Sequence, residues 1–264
     1  EKQKTLLIPK FSWWYYKSIA DEVEGRSVLY PLYEEGNTFK YDFKAMQEAV
    51  EREKPEMVLI ASPNNPTGNS LTAEELDKVL SFIDPATAVV IDEAYASFAN
   101  QDTSYIKPLL EKFPNLLIVR TLSKFYGLPG LRLGFAFMGT SLTRFLNYST
   151  KYLGYNRLSE ELGIAVLKAT DYYQRVADQM AEDRQMYIDE LQPLEGFKVY
   201  ESNANFMLVK YPIELKEKLQ AAFKAKGYLI KFMNEADINT HMRITLGTHH
   251  QNCQVIETIK EVVC

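Results

Sequence analysis

Six short aliphatic or β-branched runs punctuate the first half of the chain: TLLIP, SVLYPLY, EMVLIAS, TAVVIDEAY, NLLIVRTL and LRLGFAFM. Most are apolar at successive positions. A strand with one wet face alternates apolar and polar residues; a strand covered on both faces does not. These runs therefore predict a mostly parallel sheet with helices on both sides. The intervening segments supply the helices. DFKAMQEAVEREK and TAEELDKVLSFI carry apolar residues at helical spacing, and Thr72 followed by Glu75 predicts a capping box at the start of the second. Strand and helix in alternation give an α/β layer fold.

From about Ser141 the texture changes. SLTRFLNYSTKYLG and the run from Ser159 to Leu191 read as long helices, charged on one side. FKVYES, NFMLVKY, YLIKFM and HMRITLG follow as short strands, with ELKEKLQAAFKAKG as a helix between the middle pair. The expected organisation is a large domain over 1–160, then a connecting helix and a smaller α+β domain over 161–264.

Composition narrows the function. The 264 residues are 46% hydrophobic and 25% charged, which is ordinary for a globular chain. A net charge of -5, with no run of like charges, argues against nucleic acid or a membrane surface as the main partner. Two cysteines, Cys253 and Cys264, lack metal-ligand spacing and fit a reduced, cytoplasmic setting. His241, His249 and His250 show no metal spacing either and read as surface or core.

Three segments fall at the C-terminal ends of expected strands, the edge where open α/β sheets bind ligands. SPNNPTGN must form a tight loop, and Asn65 in it can aim a neutral amide at a ligand; a plain turn is the alternative. In VVIDEAYASF, Asp92 follows a fully apolar strand, so its carboxylate needs a cationic or N–H partner or serves as a helix cap. Tyr95 lies near it with a phenol, or packs in the core. In RTLSKFYGLPGLRLG, Thr121 and Ser123 offer hydroxyls to phosphate oxygens and Arg132 a charge-assisted contact. Lys124 stands beside them as a candidate nucleophile, or as a solvated surface lysine. An amide, a carboxylate, a phenol, a lysine, hydroxyls and an arginine at one sheet edge match a cofactor with a phosphate, an aldehyde, a phenolic oxygen and a pyridine nitrogen. Pyridoxal phosphate (PLP) is such a group.

With SPNNPTGN, IDEAYASF, RTLSKFYGLPGLRLGF and HMRITLGT in that order, essentially the whole chain resembles the fold-type I PLP-dependent aminotransferases, histidinol-phosphate aminotransferase-like branch. The resemblance implies a role for each position. Lys124 joins the cofactor aldehyde and shuttles a proton. Asp92 pairs with the ring nitrogen, and Asn65 and Tyr95 with the phenolic oxygen. Thr121, Ser123 and Arg132 hold the phosphate. Phe11 stacks on the ring, and Arg243 grips the substrate α-carboxylate. Trp13 and Trp14 read as core. The partners implied are a small-molecule amino donor and acceptor, in a homodimer.

Three features depart from the family pattern. The chain begins at a mid-domain strand, so the family's N-terminal part, with its helix-terminus phosphate donors and a tyrosine reaching the partner's site, is expected on a longer polypeptide. Lys231 stands where an arginine usually binds the substrate phosphate, keeping the charge but not the planar fork. LGYNRLS replaces a proline-containing turn, and its Arg157 is a candidate for an anionic substrate tail or simply a surface arginine. Transamination is the leading expectation. The alternatives are a threonine-phosphate decarboxylase-like reaction and a non-catalytic domain of a bifunctional protein.

Overall fold

The computed structural model describes residues 3–99, 101–149 and 156–263. Its centre is a six-stranded sheet of β1 (Thr5–Pro9), β2 (Arg26–Tyr30), β5 (Met57–Ala61), β6 (Ala88–Asp92), β7 (Leu116–Thr121) and β8 (Gly134–Met138), in the order β2-β1-β5-β6-β7-β8. The first five run parallel and β8 runs antiparallel to β7. The runs of unbroken apolar residues are these strands: Leu7, Ile8, Val58, Ile60, Val89, Ile91, Leu116 and Ile118 are all buried.

Helices α1 (Tyr15–Glu22), α2 (Phe43–Glu53), α3 (Ala73–Ser81) and α4 (Ile106–Lys112) connect the strands. The start of α3 is the expected capping box. Thr72 Oγ1 accepts from the Glu75 N–H, and the Glu75 carboxylate accepts from the Thr72 N–H. Asp42 caps α2 one way only, accepting from the Ala45 N–H.

SVLYPLY is not one strand. Pro31 has no N–H to give a ladder, and the run divides there. Leu32 opens β3 (Leu32–Glu35), which turns into a separate two-stranded hairpin with β4 (Thr38–Tyr41). The long helices expected after Ser141 are also interrupted. Residues 140–145 form a 3-10 segment, followed by α5 (Leu146–Ser149); the remainder of that stretch, to 154, lies outside the described residues. The expected single run to Leu191 is two helices, α6 (Arg157–Lys168) and α7 (Thr170–Leu191), which meet at the non-helical Ala169. Asp171 in the first turn of α7 suits the positive end of a new helix.

The C-terminal part is a four-stranded antiparallel sheet of β9 (Lys198–Val199), β10 (Phe206–Lys210), β11 (Lys231–Phe232) and β12 (His241–Thr245), in the order β11-β12-β10-β9. Helices α8 (Lys216–Ala225) and α9 (His249–Val263) cover it with the end of α7, burying Tyr187, Leu191, Phe223 and Ile259. The two parts share side chains. Tyr200, Leu208, Met233 and Ile238 pack into the same core as Leu7, Ile60 and Ile91. This shared packing brings β11 and β12 over the C-terminal edge of the large sheet.

Candidate active site

Four parallel strands deliver their last residues to that edge. After β1 the chain turns through Phe11 to Tyr16; after β5 comes the Ser62–Asn69 loop; β6 ends at Asp92; β7 ends at Thr121, three residues before Lys124. A cavity of about 360 Å³ opens there, lined by Asn65, Asp92, Tyr95 and Lys124 from the large sheet and by Lys231 and Arg243 from the small one. Trp13, Trp14 and Tyr16 form a further wall.

The contacts set what each group can do. Asp92 Oδ1 accepts from the Ala94 N–H at 2.9 Å, and Oδ2 accepts from the Tyr16 hydroxyl at 2.6 Å. The carboxylate at the end of an apolar strand thus has its N–H partner, supplied by its own turn, and gains a phenol donor from α1. Lys124 Nζ lies 5.3 Å from the centre of the Tyr95 ring, within cation–π range. Arg243 Nη1 donates to Asn65 Oδ1 at 2.5 Å and the guanidinium lies over Phe206 at 5.3 Å, while its buried Nε meets no protein acceptor. β11 and β12 pair Lys231 directly with Arg243, so two cations stand side by side on one wall.

Next to Asp92 in the chain, Glu93 Oε2 accepts from Arg120 Nε at 2.8 Å, and the Tyr105 hydroxyl bridges the two groups. Burial and the Glu93 charge keep Tyr105 protonated by pushing its pKa up. This charged triad ties Glu93, just past β6, to Arg120 near the end of β7.

Other expected positions lie elsewhere. Phe11 is in the large core, edge-on to Phe39 with ring centres 6.0 Å apart, and its carbonyl accepts from the Asn64 amide. Thr121 Oγ1 donates to the Leu133 carbonyl and accepts from the Ser123 N–H, so it organises the loop. Ser123 is half-buried beside it. Arg132 is exposed, has a left-handed φ of 55°, and donates to the Pro129 carbonyl at 3.1 Å. None of these four lines the cavity. Arg157 is exposed at the first turn of α6 and also lies outside the lining, while the first three residues of LGYNRLS, 153–155, lie outside the described residues.

Trp13 and Trp14, expected in the core, are 43% and 68% exposed and form the cavity wall. Tyr16 was missed entirely. Its signal was the placement of WWYYKS after a strand end, where a helix presents one aromatic of the run back to the sheet. Among the described residues no group of histidine, cysteine, aspartate and glutamate side chains could hold a metal ion.

The cavity brings together an amine, a carboxylate, a phenol and an amide, a set whose chemistry fits the aldehyde, ring nitrogen and phenolic oxygen of PLP. The profile of the family "Aminotransferase class I and II" matches residues 1–259. The chain belongs to the class I and II aminotransferases. As a member it is a PLP-dependent transferase of the fold-type I class. Its curated relatives include a histidinol-phosphate aminotransferase of Archaeoglobus fulgidus, 32% identical over 263 residues, covering 99% of this chain and 72% of the relative. Another, from Ruminiclostridium cellulolyticum, is 33% identical over 98% of this chain and 71% of its own length. Among solved structures, histidinol-phosphate aminotransferase from Sinorhizobium meliloti in complex with PLP shares the fold at a TM-score of 0.86 and 24% identity, covering 100% of this chain and 71% of that one. A decarboxylase from Sulfurospirillum multivorans has a TM-score of 0.83 and 25% identity, over 99% and 76% of the two chains.

Proposed function

We propose that this aminotransferase takes its amino group from a phosphorylated amine of the histidinol phosphate type and passes it to a 2-oxo acid. The observation that carries this reading is the pair of adjacent cations, Lys231 and Arg243, in the cavity that Lys124 also lines. A phosphate monoester carries close to two negative charges at neutral pH and is well met by two cations. Relatives named for histidinol phosphate support the same choice. Lysine in place of a guanidinium at 231 supplies charge without a bidentate fork, which broadens the set of anions accepted.

Bound PLP supplies an electron sink that stabilises charge left on the substrate carbon. The chain's own residues do the rest. Lys124 would hold the cofactor aldehyde and would move the proton at the substrate carbon. Asp92 would hold the ring nitrogen, and Asn65 and Tyr95 would offer N–H and O–H donors to the phenolic oxygen. Arg243 pairs with the acceptor carboxylate, and the Trp13–Trp14 wall excludes water from one side of the reacting atoms. Thr121, Ser123 and Arg132, which share the Lys124 loop without lining the cavity in this structure, are the groups that would meet the cofactor phosphate. We expect a homodimer, which light scattering on the eluting protein checks directly.

The test is the visible spectrum of the protein with added PLP, beside Lys124→Ala, followed by turnover with histidinol phosphate and a 2-oxo acid. A yellow band in the parent, absent from Lys124→Ala, together with amine transfer, is expected. Normal turnover by Lys124→Ala would sink the assignment. A second reading, decarboxylation of a phosphorylated amino acid, is favoured by the Sulfurospirillum multivorans decarboxylase likeness. Release of carbon dioxide from a phosphorylated amino acid, without amine transfer, would establish it instead.

A further inference from the structure

Asp92 is held at both oxygens by donors from different parts of the chain. Ala94, two residues on, supplies the backbone N–H to Oδ1. Tyr16, 76 residues earlier, supplies the hydroxyl to Oδ2 at 2.6 Å. That distance is within the range of charge-assisted O–H···O⁻ bonds, the stronger class. The Tyr16 ring is itself fixed. It is 5% exposed, packs with Leu6, Ile8, Ala20, Leu59 and Ala61, and meets the Trp13 ring nearly at right angles with centres 5.8 Å apart. Burial, and then the Asp92 charge, push its pKa far above the ordinary tyrosine value. The phenol therefore stays a donor at every working pH.

A carboxylate anchored at one oxygen can still turn about its last side-chain bond. Anchoring the second oxygen fixes its plane. Both residues line the same cavity, so the fixed plane belongs to the face that meets the ligand. We propose that Tyr16 is a positioning residue for transamination, clamping Asp92 so that its carboxylate is pre-aligned for the pyridine nitrogen of PLP. The inference rests on the assignment of Asp92 to that nitrogen. Outer partners that orient a ligating group typically matter by 10–100-fold in metal sites, and the same logic of pre-alignment applies here.

The test is Tyr16→Phe, which keeps the packed ring and removes only the hydroxyl. Titration of the visible band should show PLP bound about fivefold more weakly. At saturating PLP, kcat should still fall about tenfold, the usual weight of a hydrogen bond to a charged group. KM for the amino donor should stay within twofold. In an Asp92→Asn background the same change should alter kcat less than twofold, because partners in one network are not additive. An unchanged kcat at saturating PLP, a loss carried by KM, or an equal proportional loss in the Asp92→Asn background would each overturn the role. The parent spectrum separates this from the underlying reading. No band in the parent strikes the PLP site itself, whereas a normal band with an indifferent Tyr16→Phe strikes only Tyr16.

Discussion

Arg243 spends one nitrogen on Asn65 and leaves its buried Nε without a protein acceptor. A buried donor left unmet costs about 1–3 kcal/mol, more when charged, and an arriving carboxylate or phosphate recovers that cost. Arg243→Lys should therefore raise KM for anionic substrates roughly 10–100-fold while leaving the visible PLP band in place. Steady-state kinetics at saturating PLP check it; an unchanged KM would place the substrate anion elsewhere. At this scale much was legible. Asn65, Asp92, Tyr95, Lys124, Lys231 and Arg243 were all singled out, and all line one cavity. Trp13 and Trp14 read as core and Tyr16 is passed over, because the placement of WWYYKS after a strand end brings aromatics to the sheet edge without saying which of them faces a cavity and which fills a core. Arg132 shows the opposite effect. Its place in the Lys124 loop predicts a shared ligand, yet in this structure its guanidinium donates to the Pro129 carbonyl of the same loop.

Elements follow their local signals where those signals are strong. The reciprocal bonds of Thr72 and Glu75 fix the start of α3, which buries Leu76, Val79 and Leu80 against the sheet. Thr72→Ala should cost about 1 kcal/mol of unfolding free energy, read as a lower denaturant midpoint with unchanged slope. No shift would mean that packing alone places the helix. The unbroken apolar runs likewise became central parallel strands. The boundaries that failed have physical reasons. Pro31 ended a ladder that the β-branched pattern had carried through. The antiparallel direction of β8 could not be read from LRLGFAFM, because an apolar run has no sense of direction. The break at Ala169 involves neither glycine nor proline, so a helical pattern passes straight over it.

At the scale of the whole molecule the two parts are joined through a shared core, and His241 reports on that joint. It is buried on β12, with its Nε2 3.1 Å from the Tyr200 hydroxyl, and Tyr200 packs into the large core. Burial, then the nearby Lys210 charge, pushes its pKa from 6.5 down to about 4. The folded state therefore resists the proton that the unfolded chain accepts. Above pH 6.5 both states are neutral and stability is unaffected; between 6.5 and 4 stability falls as the unfolded state alone binds the proton. The loss should reach about 2 kcal/mol after allowance for partial solvent access. His241→Asn should flatten that part of the pH profile relative to the parent in denaturant titrations, and an identical slope in both proteins would show that other groups carry it.

The sequence by itself determined the alternation of strand and helix, the loops at the strand ends, and the types of group that could meet a phosphorylated pyridine aldehyde. These are local properties: periodicity, turn chemistry and residue identity act over a few positions. Tertiary structure alone decided which of those groups face each other. The distance between Arg243 and Asn65 spans 178 residues, and that between Tyr16 and Asp92 spans 76. Such contacts exist only after the two sheets have packed around one core, because no local signal specifies how distant strand ends will be brought together.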